Sequence, residues 1–419
     1  MSYTTSPRRE APEQGKPRAL WRNTDFLLLW SGQTVSVVGS NLSQVALPLL
    51  ILALTHSPAQ AGLVVALQII PYLLFSLPAG ALIDRWDRKK AMIYCDMIRW
   101  LALGSVPLAF FLGYLSAPQI YLVAFIEGTA NVIFTLAQIS SLPRTVQPEQ
   151  LPQAYALSEI TESIGSLLGP LLGALLTSLA RTTVVGAVLA YLVDSVSYLV
   201  SIISLRFIRT PFQMERAGER KQSLWQEIAE GLGFLWHQKL LRILALLTMA
   251  VNFLMSQVPV AIIVLARDQL HLNDATIYLI FCVNGVGGLL GGLIAPWLKA
   301  HLRLGQIIIG SVLVWTLALA LRAMAPSVLL LLIAGGTVNM MWPIYAVALV
   351  SYRLSLAPDE LLGRINSAFR FLTYGIEGLG AFIGGLLLVP LGPRTELWLI
   401  AAGLAISGIV ACGTQLRQA

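Results

Sequence analysis

Residues 77–90 read LPAGALIDRWDRKK, and the last seven of them hold six charged side chains. The flanks are the opposite: residues 59–83 carry no Asp, Glu, Lys or Arg, and 91–115 carry only Asp96 and Arg99. Crossing a bilayer takes about 20 predominantly apolar residues, so each flank is long enough to span, and the charged stretch is the water-exposed turn between them. The alternation recurs along all 419 residues. Apolar length and Gly, Pro or charge punctuation predict spans near 25–54, 59–83, 90–115, 118–140, 154–179, 184–207, 241–266, 275–298, 304–325, 327–351, 366–390 and 395–415. Within lipid every backbone polar group needs a partner in its own element. The predicted fold is therefore an all-α membrane protein of twelve transmembrane helices. Composition agrees, with 56% apolar residues, mean hydropathy +0.74 and 12% charged, against roughly 25% charged in soluble domains.

The net charge of +7 is no nucleic-acid footprint, because the basic residues sit in short segments between apolar runs rather than on one face. Of the 28 Lys and Arg, 22 fall on the side of the two termini, including Arg85, Arg88, Lys89, Lys90, Arg144 and Arg206. Only Arg181, Arg267, Arg322 and Arg394 fall on the other side. That asymmetry places both termini in the cytoplasm. The expected layout is a disordered cytoplasmic tail at 1–24, a six-helix bundle at 25–207, a cytoplasmic linker at 208–240 and a second six-helix bundle at 241–416. Within the linker, Ser223 and Gln226 make a capping-box pattern, and Leu224, Ile228, Leu232 and Leu235 follow helical spacing. An amphipathic helix follows, lying on the leaflet or on protein loops. The halves repeat: QPEQLPQA at 147–154 matches APDELLGR at 357–364, and GPLLGALL from Gly169 matches GAFIGGLL from Gly380. Pseudo-two-fold symmetry of this kind suits a central site exposed alternately to each side.

The opening stretch resembles the signature loop of the major facilitator superfamily, Gly-x-x-x-Asp-Arg-x-Gly-Arg-Lys, through Gly80, Asp84, Arg85, Arg88 and Lys89, with Asp87 at the last Gly position. Gly80 would let two helix backbones approach closely, and the resemblance implies that Asp84 helps lock a cytoplasmic gate. Asp96 and Arg99, spaced i, i+3, read as a structural ion pair or gate lock beside it. SIGSLLGPLLGALL is similar to the superfamily's antiporter motif through Gly165, Gly169, Pro170 and Gly173. EGLGFLWHQKLLR and PDELLGRINSAFR resemble the macrolide-efflux and enterobactin-exporter branch of drug:proton antiporters, which implies export. The fourth span has Phe125 where many such antiporters carry an arginine, so coupling through that arginine does not carry over.

Ionisable groups at membrane depth are costly and therefore functional by default. Glu127, Glu159, Glu162, Asp194 and Glu377 are the candidates for substrate contact or proton coupling, joined by Asn41, Gln44, Asn131, Asn252, Gln257, Asn339 and the amphipathic ring of Trp342. A few polar groups in apolar walls suit an amphiphilic solute. The expectation is a secondary active exporter of hydrophobic or amphiphilic small molecules of drug, macrolide or siderophore type. It would be a monomer in the cell membrane, touching solute and lipid, proton-coupled and free of cofactors. Uptake or lipid translocation by the same fold, and a sensor that binds without turnover, are the alternatives. Neither a Walker-type loop nor a paired cysteine spacing is present. The four histidines lie outside the spans, so no enzyme or metal site is expected.

Overall fold

The computed structural model describes residues 20–212, 224–356 and 362–418. The first half is α1 Thr24–Thr55, α2 Pro58–Arg85, α3 Arg88–Phe111, α4 Ala117–Thr145, α5 Leu151–Leu179 and α6 Thr183–Phe207. Then follow α7 Leu224–His237, α8 Lys239–Met255, α9 Val258–Val264, α10 Asp274–His301, α11 Leu304–Met324, α12 Val328–Leu356 and α13 Leu362–Cys412. The short polar breaks in the sequence become helix caps: the side chains of Asn23, Ser57, Asp87, Thr182 and Asn273 each accept a backbone N–H of the helix they open.

Eleven helical stretches among the described residues are long and apolar enough to cross a bilayer, and the last, Ala368–Cys412, crosses twice. Gly392 divides α13 there, its φ of 72° and ψ of 163° being open only to glycine. Twelve crossings result. The seventh, Lys239–Gln269, is broken where one uninterrupted helix was expected. Pro259 has no N–H for the carbonyl one turn back, and the chain turns at Ser256 and Gln257 between α8 and α9. α7 packs on α13 and α8 with Leu235 fully buried and Trp236 exposed. The Ser223–Gln226 capping pair lies outside the described side chains.

Helix pairing repeats between the halves. α2 with α4, α3 with α4 and α3 with α6 in the first half correspond to α10 with α12, α11 with α12 and α11 with the second arm of α13 in the other. The sequence repeat has the same meaning in space: Gly169 lies against α1 and Gly380 against α8, each the first crossing of its half. The halves meet through two symmetry-related pairs, α2 with α13 and α5 with α10.

Both pairs close tightest at the end away from the α6–α8 linker. A Cβ on Gly62 of α2 would stand 2.6 Å from both the Ala381 carbonyl oxygen and the Gly385 Cα. One on Gly173 of α5 would stand 2.2 Å from the Tyr278 ring. Nearer the linker end, Gly285 of α10 meets the Ser166 carbonyl of α5. These two α5–α10 contacts fix one antiparallel register. Continued toward the linker end, that register sets Gly288 opposite Ser163, Leu289 opposite Glu162 and Gly292 opposite Glu159. There the pair has parted, since a Cβ on Gly288 or Gly292 meets nothing within 4 Å. The halves thus seal the far end and diverge toward the linker.

Gly62→Ala is expected to disfavour this arrangement, because both obstructing atoms are backbone and neither can swing aside. Overpacking of this kind costs about 1–3 kcal/mol, and each 1.4 kcal/mol is about tenfold in a population ratio. Spin labels at Arg181 and His271, both exposed on far-end loops, would read the change as a longer distance between halves. Gly288→Ala, with open space around its Cβ, should not lengthen it, and an unchanged distance in Gly62→Ala would mean this contact does not hold the far end shut.

Candidate functional site

Asp96 and Arg99 stand one turn apart on α3, 0% and 4% exposed, with their charged groups 3.6 Å apart. Ser201 of α6 donates to Asp96 Oδ2 at 2.6 Å, and Gln33 of α1 donates to Ser201 Oγ at 3.1 Å. Arg99 donates to Asn131 Oδ1 of α4. Its guanidinium lies over the rings of Phe134 and Tyr198, 5.1 and 5.2 Å from their centroids. Asn131 Nδ2 reaches the Tyr72 hydroxyl of α2 at 3.4 Å. The Tyr72 ring in turn lies 6.0 Å from Tyr374 of α13, across the boundary between halves. One chain of polar contacts therefore runs from the core of the first half to the central interface.

The other expected acids are distributed differently. Glu127 accepts from Gln68 of α2 at 2.7 Å, which ties α4 to α2. Asp194 is fully buried and accepts from Ser43 of α1 and from Ser197 on its own helix. Glu377, half-buried on α13, accepts from Asn252 of α8 at 2.7 Å, so two separately expected residues form one pair. Glu159 and Glu162 are both exposed. By helical spacing Glu162 shares the α5 face of Ser166 and Gly173, the face that meets α10, so these two carboxyls stand where α5 and α10 part.

Several expected polar contacts are local. Asn41 donates to the Val37 carbonyl and packs beneath Gly165 and Gly169, Asn339 donates to the Gly335 carbonyl, and Gln257 donates to the Phe253 carbonyl. Gln44 is exposed on α1, and Trp342 is 42% exposed with its ring 5.9 Å from Trp315. The antiporter-motif glycines split between partners: Gly165 and Gly169 seat α5 on α1, whereas Gly173 seats it on α10 of the other half. Pro170 is buried between them.

In the signature loop, Lys89 donates to the Ile208 carbonyl at 2.6 Å and the Arg206 carbonyl at 3.3 Å, satisfying the open C-terminal end of α6. Arg88 donates to the Ser140 carbonyl at 2.7 Å. Asp87, at the family's glycine position, caps α3 by accepting the Lys90 N–H at 3.2 Å. The side chains of Asp84 and Arg85 lie outside the described ones. The close approach expected at Gly80 is not made in this conformation, where a Cβ there meets open space, because the halves diverge at this end.

Arg322 corrects the charge reading. Counted among the far-side cations at the end of its span, it is no water-exposed anchor but lies 2% exposed in α11, donating to Asn284 Oδ1 of α10 at 3.1 Å. Arg370 and Tyr374, whose guanidinium and ring lie 5.5 Å apart, escaped the sequence reading. So did Glu396, fully buried in the second arm of α13. Tyr374 carried the same signal as Tyr72, an amphipathic ring inside a span. Glu396 fell at the start of the span expected at 395–415, beside Arg394 and the Gly-Pro break, and was not counted among the acids at membrane depth.

Known proteins agree with this architecture. The family model described as Major Facilitator Superfamily matches residues 29–376. The chain is 27% identical over 397 residues to macrolide efflux protein A of Streptococcus pyogenes, covering 91% of this chain and 93% of that protein. It is 26% identical over 391 residues to an enterobactin exporter of Citrobacter koseri, covering 92% and 90%. In fold it is similar, with TM-score 0.76 at 15% identity over 96% of this chain and 98% of the other, to a bacterial homologue of the human lysosomal transporter Spinster in an inward-facing, unoccupied conformation. With a family model spanning most of its length and twelve crossings in two matched halves, the chain belongs to the major facilitator superfamily.

Proposed function

We propose that the chain is a secondary exporter of amphiphilic small molecules that works by alternating access, with the linker end in the cytoplasm and protons moving in exchange. The observation that carries this reading is the α5–α10 pair: sealed by Gly173 and Gly285, parted at Gly288 and Gly292, with Glu162 and Glu159 standing in the gap. Closing that gap buries the two carboxyls against Leu289 and Gly292. Residues 288–298 of α10 contain no cation to meet them. An ionised carboxylate desolvated without a partner costs several kcal/mol, so closure is favoured when protons or a cationic solute neutralise the pair. The aromatic and polar groups at the boundary, Tyr72, Tyr374 and Arg370, suit a solute with both apolar and polar surface. Efflux of a macrolide and of enterobactin by the relatives favours large amphiphiles and outward movement.

Inverted membrane vesicles test the reading. With an imposed inward-acidic gradient they should accumulate a fluorescent cationic dye or a radiolabelled macrolide, and collapse of the gradient should release it. A cysteine at His237, exposed at the end of α7, should react with an impermeant thiol reagent in these vesicles and resist it in intact cells. Binding without gradient-dependent accumulation would leave a sensor as the better reading.

A further inference from the structure

Glu396 is a carboxyl that none of the machinery above uses. It is 0% exposed, and neither of its oxygens has a hydrogen-bond partner among the described residues. It sits one turn into the second arm of α13, just after Pro393. An acid there normally turns back to cap the helix N-terminus, but this one does not. It is aimed across the first arm, where a Cβ on Gly384 would lie 2.9 Å from its Oε1 and 2.7 Å from the Cβ of Gln257. Gln257 is itself 4% exposed and stands at the break between α8 and α9. The absent side chain of Gly384 thus leaves the carboxyl beside the stem of Gln257, whose amide donates one N–H to the Phe253 carbonyl.

The charged groups on the surrounding elements are engaged elsewhere or distant. Glu377 on the first arm is held by Asn252, about two turns from Gly384. Arg322 on α11 donates to Asn284. Arg394 on the same arm donates to Gln269 Oε1 and to the Ala323 and Ala325 carbonyls. Arg267 and Asp268 belong to the turn after α9, about ten residues beyond Gln257. The residues of α8 and α9 from 243 to 264 carry no charge.

We infer that Glu396 is a proton-binding site of the second half, read out by Gln257 at the break in the seventh crossing. In this conformation the carboxyl carries a proton, since an ionised group here would be desolvated with no donor. The proton is taken from water as an O–H bond on the carboxylate and returned to water when that bond breaks. Loss of the proton leaves an acceptor that needs a donor, and the second N–H of the Gln257 amide, on the side chain packed at Gly384, supplies it. The α8–α9 break must adjust to present it, which couples proton release to the shape of the seventh crossing. This deepens the proposed proton exchange and rests on it for a role in transport, but not for the binding of the proton itself.

Infrared difference spectra of the purified full chain in lipid nanodiscs, taken across a pH titration without solute, test it. Wild type should show a protonated-carboxyl stretching band that shifts in heavy water. Glu396→Gln should lose that band, while Glu162→Gln should keep it. Gln257→Leu leaves the carboxyl in place and should shift the band's titration, so the test survives if Glu396→Gln folds poorly. A band unaltered in Glu396→Gln, or a titration untouched by Gln257→Leu, would overturn the assignment. Failure of gradient-driven accumulation in vesicles, with the band present, would overturn the exporter reading alone.

Discussion

Asp96→Leu is expected to lose about 3–5 kcal/mol of stability, the usual consequence of leaving one member of a buried ion pair uncompensated. The loss falls on Arg99, which cannot shed its charge and lies 4% exposed between the rings of Phe134 and Tyr198. Asn131 still accepts from it, but an amide oxygen supplies no counter-charge. Ser201 also loses the acceptor it holds at 2.6 Å. The double variant Asp96→Leu, Arg99→Leu should regain most of the loss, because apolar side chains of similar volume often replace such a pair at little cost. Thermal unfolding of the purified chain in lipid, with abundance in the membrane as a second measure, separates the cases. If the single variant unfolds like wild type, Arg99 is neutralised by another carboxylate, and Glu127 on the adjacent α4 is the one to examine.

That pair shows what one helix can announce about itself. Spacing of i, i+3 puts Asp96 and Arg99 on one face of α3 whatever surrounds them, so their meeting was legible. Their outer partners were not, because Asn131 and Ser201 come from α4 and α6, and the register between helices is written in no local pattern. The glycines of α5 make the same point. SIGSLLGPLLGALL reads as a close-packing face, but only the fold assigns Gly165 and Gly169 to α1 and Gly173 to α10. Apolar length gave the spans, and charge counting grouped Arg322 with the far-side cations, since nothing local shows that a cation two residues from a helix end is buried. The break at Gln257 had a legible cause in Pro259, overlooked because apolar length continued unbroken through it. Glu396 had none: Gly392, Pro393 and Arg394 mark a turn, and no periodicity shows that the next acid points inward.

The same register between helices sets the second large effect, expected at Glu162. On the exporter reading, one half-cycle closes α5 onto α10 at the linker end. The antiparallel register then brings Glu162 against Leu289 and Glu159 against Gly292. Two like charges spaced i, i+3 already repel, and drying both adds a desolvation cost of several kcal/mol per ion. Neutralising Glu162, by a proton or by a cationic solute, removes the repulsion and its own share of that cost, so neutralisation is the condition for closing. Glu162→Gln keeps the shape and the hydrogen-bonding capacity while deleting the condition, and the gap should then close whether or not a proton is bound. Solute binding and downhill exchange should persist, and gradient-driven accumulation in inverted vesicles should fall about tenfold or more, as expected when at least 1.4 kcal/mol of coupling is lost. Glu127→Gln should do less, because its carboxyl is already occupied by Gln68 and ties α4 to α2 within one half. If Glu162→Gln still accumulates solute with an unchanged pH profile, the gap closes by other means. Asp194, held by Ser43 and Ser197, and Glu377, held by Asn252, are then the acids whose hydrogen bonds must break for a proton to move.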